Sequence, residues 1–196
     1  MKINKIIAFF LILIIGSLLG GVYGILNDQI TYTISPEYYT KFKFIQFNFE
    51  NIGLGTNIGD KENPEILVGN PRAGAMIIGF LATWWMGLII AILLGLFGFI
   101  QKDGKTMLNF TFKSFIVTIK VALFFGFIGF VYGKLFLDVN NLNWKFPNNL
   151  IDVESYTIVG YMHNLSYLGG FIGLIVGILN QYKLKKKLKQ EMELNI

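Results

Sequence analysis

Four long stretches of apolar residues alternate with shorter polar segments along this chain. They cover residues 6–26, 73–100, 115–137 and 158–179, and each has about 20 residues or more, the length that a helix needs to cross a bilayer. Because lipid offers no partner to backbone amides, such segments are helical. The pattern predicts an all-α membrane protein with four transmembrane helices in residues 1–182, followed by a basic tail, residues 183–196.

The composition supports this prediction and excludes some kinds of functional site. Hydrophobic residues make up 54% of the chain and charged residues only 15%, whereas a soluble domain carries about a quarter charged residues. The chain contains no cysteine, which excludes disulfides and thiolate metal sites. The first apolar stretch continues beyond Ser17 to Leu26 without an A-x-A site, so it predicts an uncleaved helix rather than a signal peptide.

Lysines are concentrated in the segments that lie on one side of the predicted membrane helices. These segments are the N-terminus, the connection between the second and third helices, and the tail, which contain Lys2, Lys5, Lys102, Lys105, Lys113, Lys183, Lys185, Lys186, Lys187 and Lys189. The two connections on the other side are net acidic. Because cytoplasmic segments of membrane proteins are enriched in Lys and Arg, we expect both termini to be cytoplasmic. The protein is predicted to lie in the inner (plasma) membrane. Its expected partner is the lipid bilayer, and we expect no nucleic-acid partner.

The first outer connection, residues 27–71, is long and rich in aromatic residues. Phe42 and Phe44 alternate there with Lys41 and Lys43, which predicts a short strand or a segment lying in the headgroup layer. The rest of the connection carries turn residues and acids and predicts an exposed loop.

Helices one and three share a short motif. Val-Tyr-Gly stands at positions 22–24 and again at 131–133, near the outer end of an outward-running helix in both cases. With a weaker echo between helices two and four, this motif predicts a parallel two-hairpin repeat whose axis follows the membrane normal. The alternative is that apolar, glycine-rich helices resemble one another through composition alone.

Glycines recur at spacings of three and four residues on the predicted helices. Such spacing places them on one helix face, where a neighbouring backbone can approach closely. The glycines expected to pack helices together are Gly16, Gly20, Gly24, Gly126, Gly133, Gly169, Gly173 and Gly177. Packing within one chain is the favoured interpretation, and a homo-oligomer or a membrane-protein partner held by the same faces is the alternative.

Ionisable residues in membrane helices are candidates for function because their burial in lipid is costly. The chain has one histidine, His163. It predicts either a proton-binding or ligand-contacting site open to the outer side, or an interhelical hydrogen bond to Tyr23, Tyr132 or Asp28. Ligand or ion contact at the outer mouth of the bundle is expected from Asp28, Glu37, Arg72, Lys134, His163 and Asn164.

Two lysines fall inside the third apolar stretch. Lys120 lies close enough to the cytoplasmic end for its side chain to carry the ammonium group to the lipid headgroups. Lys134 can do the same at the outer end, or it can pair with Asp138 or Asp28.

The sequence shows no catalytic or metal-binding constellation. A single histidine cannot form a multi-histidine metal site. Ser166 lies three residues after His163 on the same helix, where two side chains rarely meet as nucleophile and base. We therefore expect no metal, no cofactor and no enzymatic activity.

Residues 27–44 read N-D-Q-I-T-Y-T-I-S-P-E-Y-Y-T-K-F-K-F and resemble a motif in a family of uncharacterised bacterial integral membrane proteins, HDQIT-x-ISPEY(F/Y)T-K-F-K-F, which follows the first helix. The helix led by Arg72 with its Trp84–Trp85 pair, and the H-N-x-S-Y-x-G-G element at 163–170, resemble further features of that family. The resemblance implies a bacterial inner-membrane protein and supplies no function. This chain has Asn27 where the family pattern has histidine, so a paired-histidine role is not implied.

The sequence thus predicts a non-enzymatic integral membrane protein that handles a small solute or an ion, or that assists a larger membrane complex. Two alternatives stay open: a membrane enzyme that uses His163 at the outer interface, and a structural oligomer packed through the glycine faces. The enzyme requires His163 to be accessible at the outer interface, whereas the oligomer requires the glycine faces to lie on the outside of the bundle.

The predicted sidedness has a direct test. With a tag on each terminus, an impermeant reagent applied to intact cells should react with neither tag, because both tags lie in the cytoplasm. Permeabilised cells are the control, since both tags should then react. Labelling of either tag in intact cells would contradict the orientation.

Overall fold

The computed structural model describes residues 3–138 and 142–194 and consists mainly of helices. In chain order the elements are α1 (Lys5–Ile34), α2 (Pro36–Tyr38), a π-helical turn (Tyr39–Lys43), α3 (Phe44–Gln46), β1 (Thr56–Asn57), β2 (Ile66–Leu67), α4 (Pro71–Gly98), α5 (Gly104–Phe136) and α6 (Val153–Leu194). The four long helices, α1, α4, α5 and α6, are long and apolar enough to cross a membrane. The predicted all-α membrane fold with four transmembrane helices is confirmed.

The four long helices run alternately up and down, which gives the bundle two distinct ends. Residues 35–70 and 142–152 connect helices at one end, which we call the loop end. The two chain termini and residues 99–103 lie at the other, which we call the termini end. β1 and β2 form a short antiparallel pair within the first connection, at the loop end.

α1 is longer than predicted. It continues beyond residue 26, where the apolar stretch ends, and stops at Ile34. The polar residues after the apolar stretch continue the helix, and the hydroxyls of Thr31 and Thr33 donate to carbonyl oxygens one turn earlier, at 3.1 and 2.9 Å. Asp28, which the sequence places in a loop, is therefore part of α1 and is buried in the bundle.

α5 and α6 are also longer than predicted. α5 begins at Gly104, because the Asp103 carboxylate accepts a 2.8 Å hydrogen bond from the backbone N–H of Thr106 and caps the helix. α6 begins at Val153 and continues through most of the predicted tail to Leu194. The residues there are good helix formers, and Lys–Glu pairs four residues apart support the helix.

The segment after α1 is helical, which corrects the prediction of a strand around Phe42 and Phe44. The Ser35 hydroxyl accepts a 3.4 Å hydrogen bond from the backbone N–H of Tyr38, and Pro36 occupies the first helical turn. Both features start helices. We call residues 36–46 the aromatic cap, since their aromatic side chains pack over the loop end of the bundle.

Glycine backbones hold α1 against α4 and α5 against α6. A Cβ placed on Gly20 would lie 2.7 Å from the Cα of Gly87 in α4. A Cβ placed on Gly173 would lie 2.7 Å from the carbonyl oxygen of Thr118 in α5. These helices are therefore closer together than side chains at the same positions would allow.

All eight glycines predicted to pack helices face another helix of the same chain. These faces are filled by helices of the same chain, as the favoured interpretation expects. The close packing of α1 with α4 and of α5 with α6 divides the bundle into two hairpins. The sequence repeat between these hairpins stays a prediction.

Two apolar clusters fill the interior, one toward each end of the bundle. The cluster at the loop end includes Tyr39, Phe44, Phe49, Ile78 and Val159. The cluster at the termini end includes Ile12, Ala91, Leu94, Met107 and Leu174. Many other large apolar side chains, such as Phe124 and Phe127, are exposed on the outside of the bundle, where lipid would cover them.

Replacing Gly20 by alanine should weaken the contact between α1 and α4. The added methyl group would lie within 2.8 Å of two backbone atoms of α4, and overpacking of this kind costs about 1–3 kcal/mol. Gly170→Ala is the matched control, because a Cβ there meets nothing within 4 Å. A detergent unfolding titration should show lower stability for Gly20→Ala alone. Equal stability of the two variants would contradict the packing.

Candidate functional site

Asn27 and Asp28 of α1 meet His163 of α6 inside the loop end of the bundle. Asp28 is 3% exposed and His163 is 7% exposed, and Oδ1 of Asp28 lies 4.0 Å from Nε2 of His163. The amide nitrogen of Asn27 lies 3.5 Å from Nδ1 of His163 and 3.4 Å from Oδ1 of Asp28. A carboxyl, an imidazole and an amide therefore form a buried group, which we call the Asp28–His163 cluster.

The neighbours of His163 determine which ring nitrogen carries its proton. The amide nitrogen of Asn27 only donates hydrogen bonds, so Nδ1 of a neutral His163 accepts and the proton is on Nε2. Nε2 faces Asp28 but has no hydrogen-bond partner in the described part of the chain. A small movement of either side chain would bring the two into a charge-assisted hydrogen bond.

The aromatic cap covers this cluster. The Tyr38 ring stacks on His163 with ring centroids 5.3 Å apart and planes 14° apart, and the Tyr39 hydroxyl lies 2.6 Å from that of Thr31. Burial raises the pKa of both tyrosines, and the negative charge of Asp28 raises it further. Both phenols therefore stay protonated at physiological pH.

Lys43 brings a positive charge into the aromatic cap. Its ammonium donates a 2.9 Å hydrogen bond to Gln46 and lies 5.2 Å from the ring centroid of Phe42. Burial lowers the pKa of Lys43, and the charge of Asp28 acts in the opposite direction. Lys43 acts on Asp28 only at longer range, since no Lys or Arg of residues 3–138 and 142–194 forms an ion pair with that carboxyl group.

Glu37 fastens the aromatic cap to the second connection. Its carboxylate accepts a 2.5 Å hydrogen bond from Lys41 and bonds of 2.8–3.2 Å from the backbone N–H groups of Ile151 and Asp152. Partial burial acts to raise the pKa of Glu37, but these hydrogen bonds outweigh it and hold the pKa below its usual value. The contacts of Glu37 are therefore those of a structural clamp.

Three predicted site residues make their contacts away from the cluster. The Arg72 guanidinium lies 5.1 Å from the ring centroid of Tyr32. Lys134 forms an exposed ion pair with Glu154 at 3.2 Å. Asn164 is exposed on α6, because successive residues of a helix point about 100° apart. Of the six side chains expected to converge, only the aspartate and the histidine meet.

Sequence reasoning misses two residues of the site, Asn27 and Tyr38. It places both in a loop because the apolar stretch ends at Leu26. The signal that could have found Tyr38 is the Ser35-Pro36 dipeptide, a typical helix start. A helix after that dipeptide places the aromatic residues that follow on defined faces.

The described residues around the cluster show neither a group of metal ligands nor an activated nucleophile. Within the described ranges, no three His, Cys, Asp or Glu residues are grouped as metal ligands. The Ser166 hydroxyl, one turn from His163, makes no hydrogen bond to it, so the serine lacks the adjacent base that activates a nucleophile. A carboxyl beside an imidazole can instead bind and exchange protons.

Replacing Glu37 by glutamine should loosen the contact between the aromatic cap and the second connection. A neutral amide oxygen accepts weaker hydrogen bonds from the backbone N–H groups of Ile151 and Asp152 than a carboxylate does. Hydrogen exchange at these two amides should therefore show less protection in Glu37→Gln than in the wild type.

The wild type should lose the same protection when the pH falls through the depressed pKa of Glu37, below the ordinary glutamate value of about 4.3. Glu62→Gln is the control, because Glu62 is an exposed carboxylate in the same connection as Glu37. It should leave both amides unchanged. Full protection of Ile151 and Asp152 in Glu37→Gln would rule out the clamp.

No family model, no curated protein and no solved structure matches the chain. The function is therefore inferred from the geometry and charge of the Asp28–His163 cluster.

Proposed function

We propose that the chain is a multi-pass protein of the inner (plasma) membrane that takes up and passes on protons at the Asp28–His163 cluster. The observation that carries the proposal is a carboxyl group buried in a membrane-spanning helix, with an imidazole 4.0 Å away. An ionisable residue in such a position is a functional candidate by default, because its burial is costly.

The two side chains of the cluster are most stable when their charges cancel, that is, when both are neutral or when they carry opposite charges. A carboxylate or an imidazolium buried alone is unfavourable by about several kcal/mol. Asp28 and His163 avoid this cost either as a carboxylic acid beside a neutral imidazole or as a carboxylate beside an imidazolium. These two states differ in the position of one proton, which is on the carboxyl group in the first and on Nδ1 of His163 in the second, where the Asn27 amide turns its oxygen toward that nitrogen. A proton that arrives at one side chain can therefore leave from the other.

The surroundings of the cluster favour a proton over a larger ligand. Tyr38 and Asn27 occupy two sides of the imidazole, which leaves little room beside it for a ligand larger than a proton. The near-complete burial of Asp28 and His163 leaves little of their surface for an organic substrate to contact. This burial argues against the alternative of a membrane enzyme.

We assign the loop end to the outer side of the membrane and both termini to the cytoplasm. The concentration of lysines in the terminal segments and in residues 99–113 supports this orientation. In this orientation the cluster lies near the outer surface, so a proton that comes from outside reaches it after passing the aromatic cap.

The resemblance to the uncharacterised bacterial family supports the choice of this cluster. Asn27 and Tyr38 belong to the segment that carries the resemblance, and both contact His163, which belongs to a second such segment. Because the family pattern has histidine at the position of Asn27, we propose that a second imidazole replaces the amide in proteins with that pattern.

Proton flux into proteoliposomes tests the proposal. A potassium diffusion potential should drive acidification of vesicles that contain the wild-type protein and a trapped pH-sensitive dye. Asp28→Asn should reduce the flux to that of protein-free vesicles, because an amide cannot exchange the proton. His163→Gln should have the same effect.

Glu154→Gln is the control for the removal of a carboxylate, because Glu154 is exposed at the same end of the bundle. It should retain the wild-type flux, and circular dichroism should show that all variants are folded. Wild-type flux in folded Asp28→Asn, or no flux in the wild type, would refute the proposed function.

A further inference from the structure

A small cavity lies between the four spanning helices, and its lining residue Ser166 is one helical turn from His163 on α6. Its volume is about 50 Å³. Hydroxyl-bearing side chains from all four helices line it, namely Tyr23, Thr83, Thr118, Ser166 and Tyr167. The remaining lining is apolar or glycine, so any polar molecule in the cavity has to bind to these hydroxyl groups.

Two of these hydroxyl groups, those of Tyr23 and Ser166, are buried next to each other, and neither makes a hydrogen bond of 3.5 Å or less among the residues that the structure describes. Such groups are rare because a buried hydroxyl without a partner is unfavourable. The hydroxyls of Thr83 and Thr118, in contrast, donate to carbonyl oxygens. The cavity therefore presents two neighbouring hydroxyl groups that a ligand able to donate and accept hydrogen bonds can bridge.

The volume of the cavity determines which ligand fits. A water molecule needs about 10–15 Å³ of such space and at least two polar partners. The cavity satisfies both conditions for a small number of water molecules.

We propose that this cavity holds ordered water that accepts protons from the Asp28–His163 cluster and carries them toward the middle of the membrane. The inference rests on the proposed function. Ser166 lies three residues after His163, on the same face of α6, and Nε2 of His163 is a third buried polar atom without a partner in the described chain. At each transfer one N–H or O–H bond breaks and one O–H bond forms, and no other bond or electron changes place.

Buried polar groups continue from the cavity toward the termini end. Thr118 lies one turn after Ser114 on α5, and the Asn180 amide donates a 3.0 Å hydrogen bond to the Ser114 hydroxyl. Beside it, Oε1 of Gln181 is buried without a partner in the chain as described. The amide nitrogen of Gln101 lies 3.5 Å from the carbonyl oxygen of Gln181. The water in the cavity would thus connect the cluster to a series of polar groups that leads toward the termini end of the bundle.

Cysteine labelling tests for this water, because the chain contains no cysteine of its own. Ser166→Cys places a thiol on the cavity, where Ag⁺, a small ion that reacts with thiols only in hydrated sites, should reach it in the reconstituted protein. Ala91→Cys is the matched control, because Ala91 is fully buried in the apolar cluster at the termini end and does not line the cavity. The reaction is measured as loss of maleimide labelling after unfolding in detergent.

Ser166→Cys should lose most of its maleimide labelling under conditions in which Ala91→Cys loses none. Thr118→Cys places a second thiol on the same cavity and should also react, which keeps the test valid where Ser166→Cys does not fold. If neither cavity thiol reacts faster than the Ala91→Cys thiol, the cavity is dry and the inference is overturned.

The proton route has its own measurement. Ser166→Ala removes one hydrogen-bond partner of the water and should slow proton flux by about tenfold, and unchanged flux would overturn the route. Labelling does not depend on flux, so the two proposals can fail separately. Reactive cavity thiols without any wild-type flux would refute the proposed function, whereas an unreactive cavity with flux that depends on Asp28 would refute this inference alone.

Discussion

Direct contact between helix backbones at glycine is the interaction on which the rest of this structure depends. In a bilayer, apolar side chains gain little by leaving lipid for a neighbouring helix, so helices associate through close packing. Gly20 against Gly87, and Gly173 against Thr118, bring two pairs of helices together in this way. At such short distances the hydroxyls of Thr83 and Thr118 also donate to carbonyl oxygens of the facing helix, at 2.8 and 2.9 Å. Each hairpin is therefore a tightly packed unit.

The polar groups of the protein are concentrated where the two hairpins meet. Asp28 is on the first hairpin and His163 on the second, and the cavity between Tyr23 and Ser166 lies at the same junction. Buried ionisable groups reduce the stability of a membrane protein, and contacts between the hairpins are fewer than those within them. The glycine contacts inside each hairpin supply the stability that allows the junction to contain polar groups.

The two connections at the loop end form one layer above this junction. The aromatic cap places Tyr38 on the ring of His163, and Glu37 bonds the cap to the second connection. The backbone N–H of Asn148 also donates a 3.1 Å hydrogen bond to the carbonyl oxygen of Glu62 in the first connection. The cluster therefore has hydrogen-bonded and aromatic groups above it where the sequence predicts a site open to the outer side.

The sequence alone determined the number of spanning helices, the glycine faces and the choice of Asp28 and His163 as candidates. Each of these depends on residues that are close together in the chain, since a run of apolar residues or a spacing of four is a local property. Only the tertiary structure decided that Asp28 meets His163, that Lys134 pairs with Glu154 and that Asn164 faces outward. These contacts depend on how each helix is rotated about its axis, and one residue of phase turns a side chain by about 100°. The rotation is set by packing between helices that are distant in the chain, which no local pattern contains.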